Sequence, residues 1–246
     1  MKERPFLLIN INNTNTSFAL ATPQRIVRVV KVRTTALRKM PFAVSRVSGI
    51  VLASVVPDAT KRVLRLLGQA ARSKVLRVSA GIDLGIGVRY PRKKQIGADR
   101  LANAVGVAKG YGAPAIVVDF GTAVTFDIIN ARREYVGGII APGLASVTDY
   151  LYQRTALLPH ITLVEPHSVI GKSTIEAMRI GAVVGYRGLV REILGALKHE
   201  PGMKKAIVVA TGGYGELIAR KVPGIKHVNP LLTLEGLRLI AVRNFT

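Results

Sequence analysis

The stretch Ala115-Ile116-Val117-Val118-Asp119-Phe120-Gly121-Thr122-Ala123-Val124-Thr125-Phe126-Asp127-Ile128-Ile129 decides how the chain is read. Four apolar residues make a run of the length of a buried strand, a carboxylate and a Gly-Thr turn follow, and a second apolar run begins at once. The start of the chain repeats this order. With Leu7-Leu8-Ile9-Asn10-Ile11-Asn12 set over Ile116-Val117-Val118-Asp119-Phe120-Gly121, a strand, a polar residue at its end, an apolar residue and a turn residue coincide. Each copy then passes through Thr into another apolar run, Ser17-Phe18-Ala19-Leu20 in the first. Two related halves are expected, residues 1–113 and 114–246, divided at Gly112-Ala113-Pro114.

Working outward, Ile50-Val51-Leu52-Ala53 reads as a strand, and Pro57 to Ala71 as a helix with Val63, Leu64, Leu66 and Leu67 among Lys61, Arg62 and Arg65, interrupted late by Gly68. Asp99 to Tyr111 reads as a second helix, with Leu101, Ala102, Val105 and Ala108 on one face. Ile207-Val208-Val209-Ala210 is a strand ending at Thr211-Gly212-Gly213, and Glu216 to Lys221 opens a helix. Strands alternating with helices make this an α/β protein.

Composition narrows the function classes. The 246 residues contain no Cys, which excludes disulfides, thiolate metal sites and cysteine nucleophiles and agrees with a cytoplasmic protein. Met1-Lys2-Glu3-Arg4-Pro5 opens no export signal, and the uncharged run from Tyr135 to Thr148 is short for a membrane span and carries three Gly and a Pro. The net charge is +22, with 21 basic and 5 acidic residues in 1–123 against 15 and 9 in 124–246. Such an excess favours anionic ligands and keeps a nucleic-acid partner open, although no zinc-finger spacing or aromatic RNA-binding signature accompanies it.

A strand ending in a carboxylate and a Gly-Thr turn offers N–H groups and a hydroxyl to phosphate oxygens, while the carboxylate reaches a cation. Asp119-Phe120-Gly121-Thr122 has that form, which ordinary hairpins share. Two such hairpins and a Gly-Gly loop would hold a triphosphate from both sides. Gly97-Ala98-Asp99-Arg100 adds a carboxylate at a helix start beside a cation; Asp99 there is either a base for a hydroxyl or a plain N-cap.

Together with Asn13-Thr14-Asn15-Thr16, Ser54-Val55-Val56-Pro57, Gly137-Gly138-Ile139-Ile140-Ala141-Pro142-Gly143, Ile170-Gly171-Lys172-Ser173-Thr174 and Leu232-Thr233-Leu234-Glu235-Gly236-Leu237, these motifs give the chain a resemblance to type III pantothenate kinases, of the actin-like (ribonuclease H-like) superfamily that includes sugar kinases. The resemblance runs along nearly the whole chain. It implies two actin-like domains with a nucleotide cleft between them, ATP-dependent phosphorylation of pantothenate on the way to coenzyme A, a homodimer, a divalent cation such as Mg²⁺ and a monovalent one, K⁺ or NH₄⁺. By motif, Asp99 is the base; Tyr90, Gly97, Ala98 and Arg100 shape the pantothenate site; and Thr174 reaches it across the dimer interface. Asn10, Ile11, Asn12, Asn13, Thr14, Asn15, Thr16 and Ser17 cradle phosphates, Thr122 touches them, Gly212 and Gly213 lie near the adenosine, and Asp119 sits at the monovalent cation.

The internal repeat exposes one departure. The first half carries Asn10 and Asn12 where the second has Asp119 and Gly121, and the resemblance implies Asp and Gly at those first-half positions. An amide oxygen brings no charge to a metal, so weaker metal binding is expected. A kinase whose metal is held by ATP, or a weakened homologue acting as a regulatory or nucleic-acid-associated protein, are the two readings this leaves.

Overall fold

The computed structural model describes residues 4–246, except the side chains of Ala70 and Arg72; the first three residues, on which the expectation about an export signal rests, lie outside the described part. The chain forms β1 (Phe6–Ile11), β2 (Asn15–Ala21), β3 (Ile26–Arg33), β4 (Ile50–Ser54), α1 (Pro57–Leu67), α2 (Gln69–Arg72), β5 (Val75–Arg77), β6 (Gly87–Val88) and α3 (Ala98–Gly110). Then follow β7 (Ala115–Phe120), β8 (Ala123–Ile129), β9 (Glu134–Pro142), α4 (Leu144–Arg154), α5 (Thr174–His199), β10 (Ile207–Thr211), α6 (Gly215–Ala219), β11 (His227–Val228) and α7 (Leu232–Phe245). They fall into two units. One runs through Gly112 and adds Arg132–Val136 and Leu231–Thr246; the other holds Ala113–Ala131 and Gly137–Pro230.

In the first unit the sheet order is β3-β2-β1-β4-β5, with β1 antiparallel to β2 and parallel to β4. Every residue of β1 is buried, because both faces of this central strand are covered. Phe6 and Leu8 pack with Leu101 and Val105 of α3 and with Leu237 and Ile240 of α7. Leu7, Ile9 and Ile11 pack with Val63 and Leu67 of α1. Each fully buried Leu or Ile contributes about 1.5–3 kcal/mol of transfer free energy, so this strand anchors the loop that follows it. Helix α1 stops at Leu67, one residue before Gly68, whose φ of +75° lies in the left-handed region.

The second unit has the same order, β9-β8-β7-β10-β11, with β7 antiparallel to β8 and parallel to β10. Ile116, Val118, Phe120 and Phe126 meet Val183, Val190 and Leu194 of α5 in its core. The sequence repeat is therefore a structural one. Strands β2 and β8 alternate buried and part-buried residues in an identical pattern, Asn10 pairs with Ser17 as Asp119 pairs with Thr125, and the first turn residue bonds back in both hairpins: Asn12 N–H to the Asn15 carbonyl at 3.0 Å, Gly121 N–H to the Ala123 carbonyl at 3.1 Å.

The expected second domain, 114–246, loses two segments to the first unit. Helix α7 buries Leu234, Leu237, Ile240 and Ala241 against α3 and the first sheet, and the first residues of β9 pair in parallel with β6, Gly87 with Glu134 and Val88 with Tyr135. Among the described residues no helix is long and apolar enough to cross a membrane.

Candidate active site

In the first unit, three motifs converge at the carboxyl ends of β1 and β4. The loop after β1 is buttressed by Thr34, which donates its N–H to the Thr14 carbonyl at 3.0 Å and its hydroxyl to the Asn12 carbonyl at 2.6 Å, and shares a hydrogen bond with the Thr16 hydroxyl. Arg62 donates in turn to the Thr34 carbonyl at 3.3 Å. Ser54-Val55-Val56-Pro57 is tied to that loop by Val55 N–H, which donates to the Ile11 carbonyl at 3.2 Å. Pro57 opens α1, where its missing N–H costs no helical bond. A Cβ built on Gly97 would come within 3.5 Å of Val55 Cγ1, which brings Gly97-Ala98-Asp99-Arg100 alongside.

Helix α3 starts at Ala98 with Gly97 as its N-cap. Asp99 is therefore in the first turn and not at the N-cap position, and its Oδ1 accepts at 2.9 Å the N–H of Arg100, which no helical carbonyl reaches. A Cβ on Gly97 would lie 2.6 Å from that same oxygen, so only glycine leaves the carboxyl room. Burial lifts the Asp99 pKa above its ordinary value, against the opposing pull of the Arg100 N–H and guanidinium. Such a carboxylate is a stronger base than an exposed one. The Arg100 guanidinium carbon stands 5.8 Å from the ring centroid of Tyr135, and the Tyr90 ring meets Tyr135 edge-on at 6.1 Å. Tyr135 is fully buried, so Arg100 and Tyr90 rest on a fixed ring.

In the second unit, the half-buried Asp119 is the last residue of β7 paired with β10, and the turn after the strand presents Thr122 to solvent. Two glycines allow neighbouring loops to close on this hairpin. Gly212, at φ +86°, would place a Cβ 2.6 Å from Asp119 Oδ1 and from the Phe120 backbone, and Gly143 would place one 2.1 Å from the Thr122 carbonyl oxygen. Ser146 at the start of α4 donates to that carbonyl at 3.3 Å. Asp119, Thr122, Gly212 and Gly213 thus share one corner of the unit. Thr174 lies apart from them at the exposed start of α5, which Ser173 and Glu176 cap reciprocally: Ser173 Oγ accepts Glu176 N–H and Glu176 Oε2 accepts Lys172 N–H.

The residues present suit a divalent cation of one kind. Asn10 is only 6% exposed, yet its Oδ1 and that of Asn12 are buried without a hydrogen-bond partner among the described residues. Neutral oxygens of this sort fit one coordination position or the water shell of an ion whose charge is met by phosphates. Among the described residues no three His, Asp or Glu gather to hold a metal alone.

Sequence reading missed Tyr135, Thr34, Arg62 and Gly143. The first depends on the β6–β9 pairing, Thr34 stands 18 to 22 residues from the loop atoms it holds and Arg62 another 28 beyond Thr34, so no local pattern announces them; Gly143 lies in the motif at 137–143, but its contact with the turn is tertiary.

A sequence profile of type III pantothenate kinases matches residues 6–196. The chain is 48% identical over 244 residues to a type III pantothenate kinase of Akkermansia muciniphila, covering 97% of this chain and 99% of that one. It is 46% identical over 198 residues to one of Moorella thermoacetica, covering 80% and 78%. Among solved structures, the activator of the 2-hydroxyisocaproyl-CoA dehydratase of Clostridium difficile, with bound ADPNP, superposes with a TM-score of 0.56 at 12% identity, covering 98% of this chain and 94% of that one. MreB 5 of Spiroplasma citri, bound to AMPPNP, gives 0.52 at 13%, covering 97% and 96%. These two likenesses are of fold, and the fold is the actin-like one.

Proposed function

This chain belongs to the type III pantothenate kinase family and phosphorylates pantothenate with ATP, the entry to coenzyme A synthesis, and we propose that Asp99 is the base of that transfer. The observation that carries the reading is the half-buried Asp99 carboxylate, lifted in pKa by burial and fixed at the start of α3 beside Arg100. Asp99 accepts the proton of the pantothenate hydroxyl as that oxygen bonds to the γ-phosphorus; the bond from phosphorus to the β–γ bridging oxygen breaks, and ADP leaves with the electron pair. Arg100, on its Tyr135 platform, pairs with the pantothenate carboxylate, and Tyr90, Gly97 and Ala98 shape the pocket around it.

The loop from Asn10 to Ser17 and Thr122 take the phosphates, and Gly212 and Gly213 border the adenosine. A divalent cation, when bound, neutralises charge on the β- and γ-phosphates, with Asn10 and Asn12 offering it neutral oxygens. Asp119 holds the monovalent cation. The protein acts in the cytoplasm as a homodimer in which Thr174 serves the partner's pantothenate site; exposed Ile140, Tyr150, Ile170 and Ile175 of the second unit support such an interface. The test is direct: purified protein with ATP, Mg²⁺, K⁺ or NH₄⁺ and pantothenate yields 4′-phosphopantothenate, identified by mass. No product with any metal or cation tried contradicts the reading.

A further inference from the structure

The hairpins of the two units share one register, so each serves as a control for the other. Thr16 stands opposite Ile11 where Val124 stands opposite Phe120, and both are fully buried. A valine therefore satisfies the packing at this place, and a hydroxyl there needs a hydrogen-bond partner to offset its burial. In the first unit that partner is Thr34, which directly follows β3 and is only 4% exposed. The Thr34 hydroxyl has one hydrogen and donates it to the Asn12 carbonyl at 2.6 Å, so in the 3.0 Å contact between the two hydroxyls Thr16 is the donor. This limits what Thr16 can do. With its hydrogen spent on Thr34 it keeps only acceptor lone pairs, and the phosphate oxygens of a nucleotide are acceptors too.

The same chain of bonds fixes the shape of the turn. Between its bonded ends, Asn12 and Asn15, the first turn holds Asn13 and Thr14, whereas the second holds Thr122 between Gly121 and Ala123. The Asn12 and Thr14 carbonyls are taken by the hydroxyl and N–H of Thr34, and the Asn15 carbonyl by the Asn12 N–H. Arg62 holds Thr34 in turn, donating to the Thr34 and Thr35 carbonyls at 3.3 and 3.5 Å. In the second turn a hydroxyl again holds a carbonyl, Ser146 on Thr122 at 3.3 Å, from a segment that likewise follows the third strand of its unit.

We propose that Thr34 is a positioning residue for the phosphoryl transfer: it holds the first turn in the shape that receives the nucleotide phosphates, and the Thr16 hydroxyl acts through it without touching a phosphate. The inference rests on the nucleotide reading of that loop given above.

The experiment is a double-mutant cycle on the full-length protein, read by steady-state kinetics for both substrates, by calorimetric titration with the ATP analogue AMP-PNP and by circular-dichroism melting. Thr34→Val, of nearly the same shape, strips the turn of its hydroxyl support, and kcat/KM for ATP falls about 10- to 10²-fold because phosphates held by a shifted turn lose their alignment. KM for pantothenate stays within about 3-fold, a split that a general loss of structure would not produce. Thr34→Ser keeps the hydroxyl and recovers kcat/KM for ATP to within about 3-fold of wild type. Thr16→Val, which installs the residue of the second hairpin, loses about 3- to 10-fold. The double variant is worse than Thr34→Val by no more than about 2-fold, since both changes cut one chain of bonds. If Thr34→Val does not fold, Thr16→Val carries the test by itself, and a wild-type kcat/KM for ATP in that variant overturns the inference. A folded Thr34→Val protein with wild-type kcat/KM for ATP, a Thr34→Ser protein no better than Thr34→Val, or losses that multiply in the double variant overturn it too, while leaving the nucleotide reading intact. Absence of AMP-PNP binding to the wild type overturns the nucleotide reading and this inference with it.

Discussion

Replacing Gly236 with Ala tests how α7 sets the position of the proposed base. A Cβ at that position would lie 1.9 Å from the Ala102 carbonyl oxygen on α3 and 2.6 Å from its carbon. Since an ordinary C···O contact is about 3.3 Å, the two helices have to part by about 1.4 Å there. The same separation stretches the buried hydrogen bond from the Thr233 hydroxyl to Asn103 Oδ1, now 2.7 Å, and opens the approach where Gly106 meets the Leu232 carbonyl. Overpacking of this kind costs about 1–3 kcal/mol. Asp99 lies one helical turn before Ala102, so it moves with the displaced end of α3. Misplacement by about 1 Å reduces turnover on the order of 10²-fold. The expected outcome for Gly236→Ala is a Tm lowered by several degrees and a kcat down by about 10–10²-fold, with AMP-PNP affinity within about 3-fold of wild type. Steady-state kinetics, calorimetry and thermal melting read the three quantities. A Gly236→Ala protein with wild-type Tm and kcat refutes the reasoning.

Other consequences follow from single contacts. Tyr135→Leu removes the ring under Arg100 and beside Tyr90; KM for pantothenate rises about 3- to 30-fold while KM for ATP stays put, and an unmoved pantothenate KM in steady-state assays contradicts the platform role. Glu165 is held at a pKa of about 2, from 4.5, chiefly by hydrogen bonds from the buried Arg187 and from Lys221. Its folded pKa is depressed, so the stability it adds is present above pH 4.5 and is lost as pH falls toward 2. Discounted for a side chain 40% exposed, that contribution is about 1–2 kcal/mol, and Glu165→Gln should melt a few degrees lower at pH 7 with the gap closing at acid pH; a gap that does not change with pH rules the assignment out. Because burial raises the Asp99 pKa above 3.8, kcat/KM should fall on the acid side with an apparent pKa above that value, as the protonated carboxyl cannot take the hydroxyl proton. A profile flat down to pH 4 speaks against it.

Much of the fold was legible because its central strands are short apolar runs closed by turn residues, and the duplication showed in two such runs before any contact was known. Strand β3 was not legible. As an edge strand it leaves Val27 57% and Val29 40% exposed among Arg28, Lys31 and Arg33, which blurs the alternation a half-covered strand should show. The return of α7 to the first unit was invisible for another reason: its apolar residues say that it is buried, not against which sheet. In the site, Asp99 stands one position inside its helix and Asp119 one position before the end of its strand. The supports were not legible, since Thr34, Arg62 and Tyr135 act across distances in sequence that no local period spans. The orphaned oxygens of Asn10 and Asn12 needed the structure as well, because the sequence marks the substitution and only burial makes it consequential.

The role of Asp99 as base is tested most directly by the turnover and stability of Asp99→Asn measured on one preparation. Burial favours the protonated carboxyl, so at neutral pH the ionised group costs the fold stability, and the neutral amide of similar shape should melt at or above the wild-type temperature. Formation of 4′-phosphopantothenate should nevertheless fall by about 10²–10⁴-fold with AMP-PNP binding retained. An Asp99→Asn protein that turns over within a few-fold of wild type would show that the proton goes elsewhere.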